Sequence, residues 1–310
     1  MDNETKVLEF LLLGFSDLPN HQTLLFVVFL SLYLITMLGN SLIILAIAFS
    51  QRLHTPMYFF IGNLSLVDMC LSSTTVPRLL RDLLSEQKTI SLPACIVQVY
   101  FLFFVGSMEF FLLAVMAFDR YVAICDPLRY SMVMSQKLCL GLVSGSWVVA
   151  ALNSTLHSIL LSRLSFCGSI TIHHFFCDIP PLLKLSCSDT SLSESAMFSE
   201  GALVVMGPFL FIVLSYIRII SAILKIRSAH GRSKAFSTCS SHLTVVIFFY
   251  GTVMFIYFRP SSSSSIDYDR AVSAVYSSVT PMINPFIYSL RNTEVKGVLA
   301  KFLRPCKHFH

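Results

Sequence analysis

Asp119-Arg120-Tyr121 places a charged pair at the end of a long apolar stretch, within the string Met116-Ala-Phe-Asp-Arg-Tyr-Val-Ala-Ile-Cys-Asp-Pro-Leu-Arg-Tyr130. Arginine keeps its charge, and its planar guanidinium forks onto carboxylates. A neighbouring aspartate can therefore hold it in one state and release it in another. The blander reading is a basic anchor at a helix end. Five more polar groups interrupt apolar stretches: Asn40, Asp68, Glu109, His242 and Asn284. Glu109 precedes Arg120 by roughly 16 Å of helix, which sets it near mid-membrane. Carboxylates at that depth must be protonated, paired or shared with a cation. A network of Asn40, Asp68, Glu109 and Asn284 would meet that need, either around a sodium ion or as plain interhelical hydrogen bonding. His173-His174-Phe-Phe-Cys177-Asp178 has metal-ligating residue types in close order, but no second ligand cluster accompanies it, and no metal is expected. Nothing matches a phosphate-binding loop, a nucleophile elbow or a paired-carboxylate hydrolase site, so the chain does not read as an enzyme.

These groups need long helices to hold them. The chain has 310 residues, 55% hydrophobic and 13% charged, against about 25% charged in an ordinary soluble domain. Apolar runs of about 20 residues, enough to cross a bilayer, recur over 24–49, 57–80, 96–122, 138–161, 197–224, 238–258 and 271–290. The expected fold is an all-α seven-helix membrane bundle. It comprises an outer N-terminus over 1–23, a bundle over 24–290 and an inner tail over 291–310 carrying a short helix. With the N-terminus outside, the inner segments hold 14 Lys/Arg and 3 Asp/Glu, while the outer segments hold 8 and 12. That asymmetry sets the orientation and turns the basic surplus toward the inner leaflet, its lipids and cytosolic partners. Nucleic acid is a poor candidate.

The same orientation sorts the smaller motifs. Phe10-Leu-Leu-Leu-Gly14 is too short for the core of a cleavable signal, so the first span is expected to insert the chain by itself. Asn3-Glu4-Thr5 is an outer glycosylation acceptor, whereas Asn63-Leu-Ser65 and Asn153-Ser-Thr155 fall inside expected helices and are set aside. Cys95, Cys167, Cys177 and Cys187 lie in an oxidising compartment and allow two disulfides in three connectivities. Cys306, in the basic tail, suits either palmitoylation or a plain thiol. The outer segment 162–196 is too long to be structureless in a compact fold and reads as a pinned lid. Pro208 and Pro285 sit within spans, where each removes a hydrogen bond and kinks a helix.

Together these strings resemble the olfactory receptors, within the rhodopsin-like G-protein-coupled receptors. The strings are Gly39-Asn40, Leu53-His-Thr-Pro-Met-Tyr-Phe-Phe60, Met116–Tyr130, Ser215-Tyr216, Lys234-Ala-Phe-Ser-Thr-Cys-Ser-Ser-His-Leu243 and Pro281–Asn292. The Leu-His-Thr-Pro-Met-Tyr string is similar to the tetrapod-type class (class II). One departure is Phe118, where the family more often has tyrosine. The resemblance implies a Cys95–Cys177 disulfide, with Cys167–Cys187 as a second, family-specific pair. It also implies that Arg120, Tyr216 and Tyr288 form an activation switch for a Gα subunit. Asp119, Tyr121, His242, Asn284 and Pro285 belong to the same inner machinery, with His242 near Arg120 in the inactive state. Tyr250 stands where other rhodopsin-like receptors carry a toggle tryptophan.

An outer-half pocket follows from the resemblance. Leu102, Phe103, Gly106 and Ser107 share one face of the third helix by spacing. Val204, Tyr250, Val253, Met254, Tyr257 and Ser277 resemble positions that line odorant pockets. His157 and Glu200 are expected at the rim. Such a pocket suits a small, volatile, largely apolar molecule with one hydrogen-bonding group, offered the hydroxyls of Ser107, Tyr257 and Ser277. The implied function is odorant detection, with activation of a stimulatory (Golf/Gs-type) G protein and a rise in cyclic AMP. The implied place is the plasma membrane of olfactory neuron cilia, reached with or without a trafficking accessory protein. A chemosensor for a metabolite in another tissue is the alternative. A transporter or channel is a weaker one, since no internal repeat or second charged pathway is present.

Overall fold

The computed structural model describes residues 9–15, 19–257, 266–290 and 295–297. Asn3, Cys306 and most of the tail lie outside the described residues. Helix α1 spans Gln22–Phe49, α2 Pro56–Leu84, α3 Leu92–Cys125 and α4 Gln136–Ser162. Helix α5 runs over Ser191–Leu224 and α6 over Ala229–Tyr257. The seventh, α7, is assembled from Ile266–Ala274, Val275–Val279 and Thr280–Leu290 in unbroken succession. Six of these helices are individually long and apolar enough to cross a bilayer, and the three pieces of α7 supply the seventh crossing. Val295, Lys296 and Gly297 form a helical turn after it, with Val295 buried.

Burial patterns give each helix its place. Helix α1 buries only Phe29, Thr36, Asn40, Ile43 and Ala46, a stripe at helical spacing. Leu24, Val27, Leu34, Leu38 and Leu45 on its other faces are exposed, as are Val148, Val149, Leu152 and Leu156 on α4. In water that surface would aggregate; in lipid it is the solvated face. Helix α3 buries residues on most of its circumference and is the central post. Helices α2 and α3 each open with proline in the first turn, where a missing N–H costs nothing.

Two elements depart from the sequence expectation. The apolar run near the N-terminus is a strand, β1 (Glu9–Leu12), set between β2 (Thr89–Ser91) and β3 (Thr171–Ile172). β1 pairs antiparallel with β2 and parallel with β3, so the N-terminus ties two outer loops together. Gly14 then turns the chain at φ +51°, a backbone that side-chain-bearing residues avoid, and its N–H donates to the His174 carbonyl at 3.1 Å. The second departure is a π-helical segment in α5 (Gly201–Met206) and another in α7 (Val275–Val279). Pro208 lies within α5 as expected, at the point where its π-helical segment gives way to α-helix, and Pro77 lies inside α2.

Candidate functional site

Two disulfides pin the outer lid, one to α3 and one within the lid itself. Cys95, atop α3, is disulfide-bonded to Cys177, and Cys167 to Cys187, with Cα separations of 5.5 and 6.0 Å. Gln98 reinforces the first link, its Oε1 accepting from the Cys177 N–H at 2.9 Å while its Nε2 donates to the Thr74 carbonyl. His174 is buried between the Phe175 and Phe176 rings. Burial first, then nearby Arg270, pushes its imidazole down to about 3, so it stays neutral. No group of three or more His, Cys, Asp or Glu residues is arranged for a metal among the described residues.

Beneath the lid lies a cavity of about 490 Å³, within the range of about 300–1,000 Å³ typical of small-molecule sites. Helix α3 contributes Leu102, Phe103, Gly106, Ser107 and Phe110. Helix α5 contributes Met197, Phe198, Glu200, Gly201, Ala202, Val205 and Met206, while Val253 and Tyr276 close the wall from α6 and α7. Val204 and Ser277, both expected in the lining, are absent from it, and each is replaced by its immediate neighbour. Both fall in π-helical segments, where a turn holds more residues than an α turn and the presented face shifts. Ser277 is instead buried against Ser278, its carbonyl accepting from Ser72.

Tyr250 and Met254 also stand outside the lining, and the Tyr257 side chain lies outside the described residues. Tyr250 packs one layer below the floor, its ring centroid 5.5 Å from Phe110 and 4.9 Å from Phe209. His157 and Glu200 are not at the rim. His157 is 2% exposed, and its Nε2 lies 2.9 Å from Glu200 Oε2. Asn153, set aside as a glycosylation match, donates to Glu200 Oε1 at 3.0 Å and to Ser107 Oγ at 3.3 Å.

Deeper in the bundle the polar residues sort into two groups. Asn284 Nδ2 donates to both oxygens of Asp68 at 3.0 and 3.1 Å. Glu109 faces Asp68 and the Tyr276 hydroxyl, yet neither of its oxygens makes a hydrogen bond of standard geometry among the described residues. Asn40 is separate from this cluster, contrary to the four-residue network expected. Its Nδ2 donates to the carbonyls of Thr36 at 3.0 Å and Pro281 at 3.1 Å. The second bond has a clear cause: Pro285 has no N–H, so the carbonyl four residues before it lacks its helical donor. Gly39 completes the fit, since a Cβ there would lie 3.3 Å from the Pro285 ring. The dipeptide Gly39-Asn40 is thus a socket for the α7 proline.

At the inner end, Asp119 is fully buried, accepting from the Tyr130 hydroxyl at 2.7 Å, with Arg120 Nη2 3.1 Å from its other oxygen. Burial and this bond push the Tyr130 phenol well up. Tyr121 faces outward, 36% exposed. His242 does not meet Arg120 by a hydrogen bond. Its Nε2 lies 3.0 Å from the Leu113 carbonyl and its Nδ1 2.7 Å from the Tyr216 hydroxyl. A carbonyl only accepts, so Nε2 carries the proton and Nδ1 accepts from Tyr216. Tyr288 is buried within electrostatic reach of Asp68, Tyr216 and Arg120.

Comparison with known proteins bears on what this arrangement is. The sequence model of the olfactory receptor family matches residues 29–305. Olfactory receptor 1f45 of Rattus norvegicus is 56% identical over 301 residues, covering 97% of this chain and 96% of its own. The chain belongs to the olfactory receptor family. Olfactory receptor 1F1 of Homo sapiens is likewise 56% identical, over 96% of both chains, and olfactory receptor 1M1 of Mus musculus is 52% identical, over 97% of this chain and 96% of its own. The receptor is accordingly a multi-pass membrane protein of the rhodopsin-like class and a member of a signalling family rather than an enzyme family. Of its inner residues, Tyr130 carried no expectation from sequence, because a tyrosine in a loop gives no sign of the carboxylate it will meet.

Proposed function

We propose that this odorant receptor binds small, mostly apolar molecules in the α3–α5–α6–α7 cavity, and that occupancy drives α6 outward to admit a stimulatory G protein and raise cyclic AMP. The observation that carries this reading is the cavity floor. Phe110 lines the cavity and packs edge-on against Phe249 of α6 at 4.9 Å. A ligand pressing on Phe110 therefore loads the helix whose inner half carries His242. Outward movement of α6 would part His242 from Leu113 and Tyr216, and free Arg120 for the Gα subunit. A ligand acts only through its different affinities for the two states, and the aromatic floor is where that difference arises.

Several finer assignments belong to the same proposal. Asn284, Pro285 and Tyr288 transmit from the cavity wall to the inner face, with Tyr276 and Glu109 as the upper link. The carboxylates of Asp68 and Glu109 suit a single sodium ion or a shared proton, since Glu109 has no hydrogen-bonding partner of standard geometry among the described residues. Residues 1–23 stand outside, 24–290 form the receptor bundle and 291–310 face the cytosol. Olfactory cilia are the working location, reached with or without a trafficking accessory protein. A cyclic AMP reporter assay on surface-matched wild type and Arg120→Ala, with a diverse odorant panel, tests the reading. An odorant response abolished by the substitution supports it; an equal response in both refutes the role of Arg120.

A further inference from the structure

Ser107, Asn153, Glu200 and His157 are joined in series across α3, α4 and α5 and back one wall of the cavity, while Tyr276 closes it from α7. We propose that this wall selects for alcohols: ligands whose hydroxyl donates to Glu200 and accepts from Ser107. The inference rests on the odorant reading above and narrows its ligand class.

The hydrogen-bond inventory leads there. The Asn153 amide donates to Glu200 Oε1 and to Ser107 Oγ, so its two protons are engaged. Ser107 accepts in that bond and keeps its own proton to give. A carboxylate offers about four lone-pair directions; Asn153 fills one on Oε1, and His157 Nε2 lies 2.9 Å from Oε2 without standard hydrogen-bond geometry. The remainder open on the cavity that Glu200 lines. The wall thus presents one donor and one carboxyl acceptor, and Leu102, Val205, Val253 and Tyr276 line the rest of the cavity. A hydroxyl satisfies both. An ether or ketone lacks the proton for Glu200, and an unpaired buried carboxylate lone pair is costly. A protonated amine lacks the lone pair for Ser107. A ligand carboxylate meets like charge in a site that screens it poorly.

The test uses the full-length receptor, both in detergent for ligand-induced thermal shifts and in cells for cyclic AMP. The probes are 1-octanol, 2-phenylethanol and geraniol, each beside its methyl ether, with octanoate and octylamine as charged counterparts. We expect at least one alcohol to bind about tenfold more tightly than its ether, the size of one lost buried hydrogen bond. Glu200→Gln should narrow that gap and admit octanoate, while Ser107→Ala should weaken alcohols alone. Ethers, octanoate or octylamine binding as well as the alcohols overturns the proposal, as does the absence of any thermal shift with the three alcohols. The two readouts separate failures. Alcohol-selective shifts without cyclic AMP support this wall and refute the coupling. Cyclic AMP responses indifferent to the hydroxyl leave odorant sensing intact and refute the wall.

Discussion

The Pro285 socket gives a prediction that a simple loss of packing would not. Asn40→Ala removes the donor that the Pro281 carbonyl receives from α1. That carbonyl is then buried in the bundle with no helical N–H, because Pro285 has none to give. Leaving a buried acceptor unpaired costs about 1–3 kcal/mol. In a Pro285→Ala background the peptide N–H at position 285 returns and takes the carbonyl itself, so Asn40→Ala should lose much less. The expected coupling between the two positions is about 1–2 kcal/mol, well above the roughly 0.3–0.5 kcal/mol scatter of independent sites. A double-mutant cycle on thermal midpoints of the detergent-solubilised receptor reads it as a difference of a few degrees. Penalties that simply add would refute the reasoning, and Asn40 would then matter only through its bond to Thr36.

Other perturbations probe other layers. His242→Phe removes two neutral hydrogen bonds of about 1 kcal/mol each, which eases α6 outward and should raise basal cyclic AMP by up to ~30-fold at matched surface level; an unchanged or lower basal signal would count against the latch. Gly106→Ala places a Cβ 3.1 Å from the Tyr276 hydroxyl, so odorant potency should fall, and adding Tyr276→Phe should restore it by removing the offending atom. His174 is neutral when folded, with its pKa at about 3, whereas the unfolded chain protonates near the ordinary value of about 6.5. The unfolded state therefore binds more protons in that window, and stability is lost as pH falls through it, by about 2 kcal/mol at pH 5. Thermal midpoints of wild type should fall more between pH 7 and pH 5 than those of His174→Phe; parallel falls would remove His174 as the cause.

What the sequence disclosed depended on the kind of physics involved. Bilayer-length apolar runs are local and additive, so the spans were legible. The resemblance supplied both disulfide pairings, which spacing alone left open among three. The third-helix lining from Leu102 to Ser107 follows α-helical spacing and could be read directly. Val204 and Ser277 could not, because a π segment leaves no plain mark on composition yet changes the presented face. The service of Asn40 to Pro281 was hidden for another reason. The bond joins residues 241 apart, and its need arises from an N–H that is missing. Glu200 drew notice only as rim polarity, since its partners Asn153 and His157 come from another helix.

The outer sheet bears on how the receptor is made. Its central strand, β1, emerges from the ribosome first, yet its partners are β2 at residues 89–91 and β3 at 171–172. Its β2 edge can close once two spans have been inserted, but until the fourth is in place the other edge of the apolar Phe10-Leu11-Leu12 segment must wait unpaired. Bare strand edges of this kind are the surfaces that quality control retains and that aggregation exploits. The earliest strand is therefore the last to be satisfied, and closure of the sheet reports that the whole outer face has assembled. Export of this receptor becomes a matter of timing as much as of stability, and a cell that shields the waiting strand should deliver more of it to the surface.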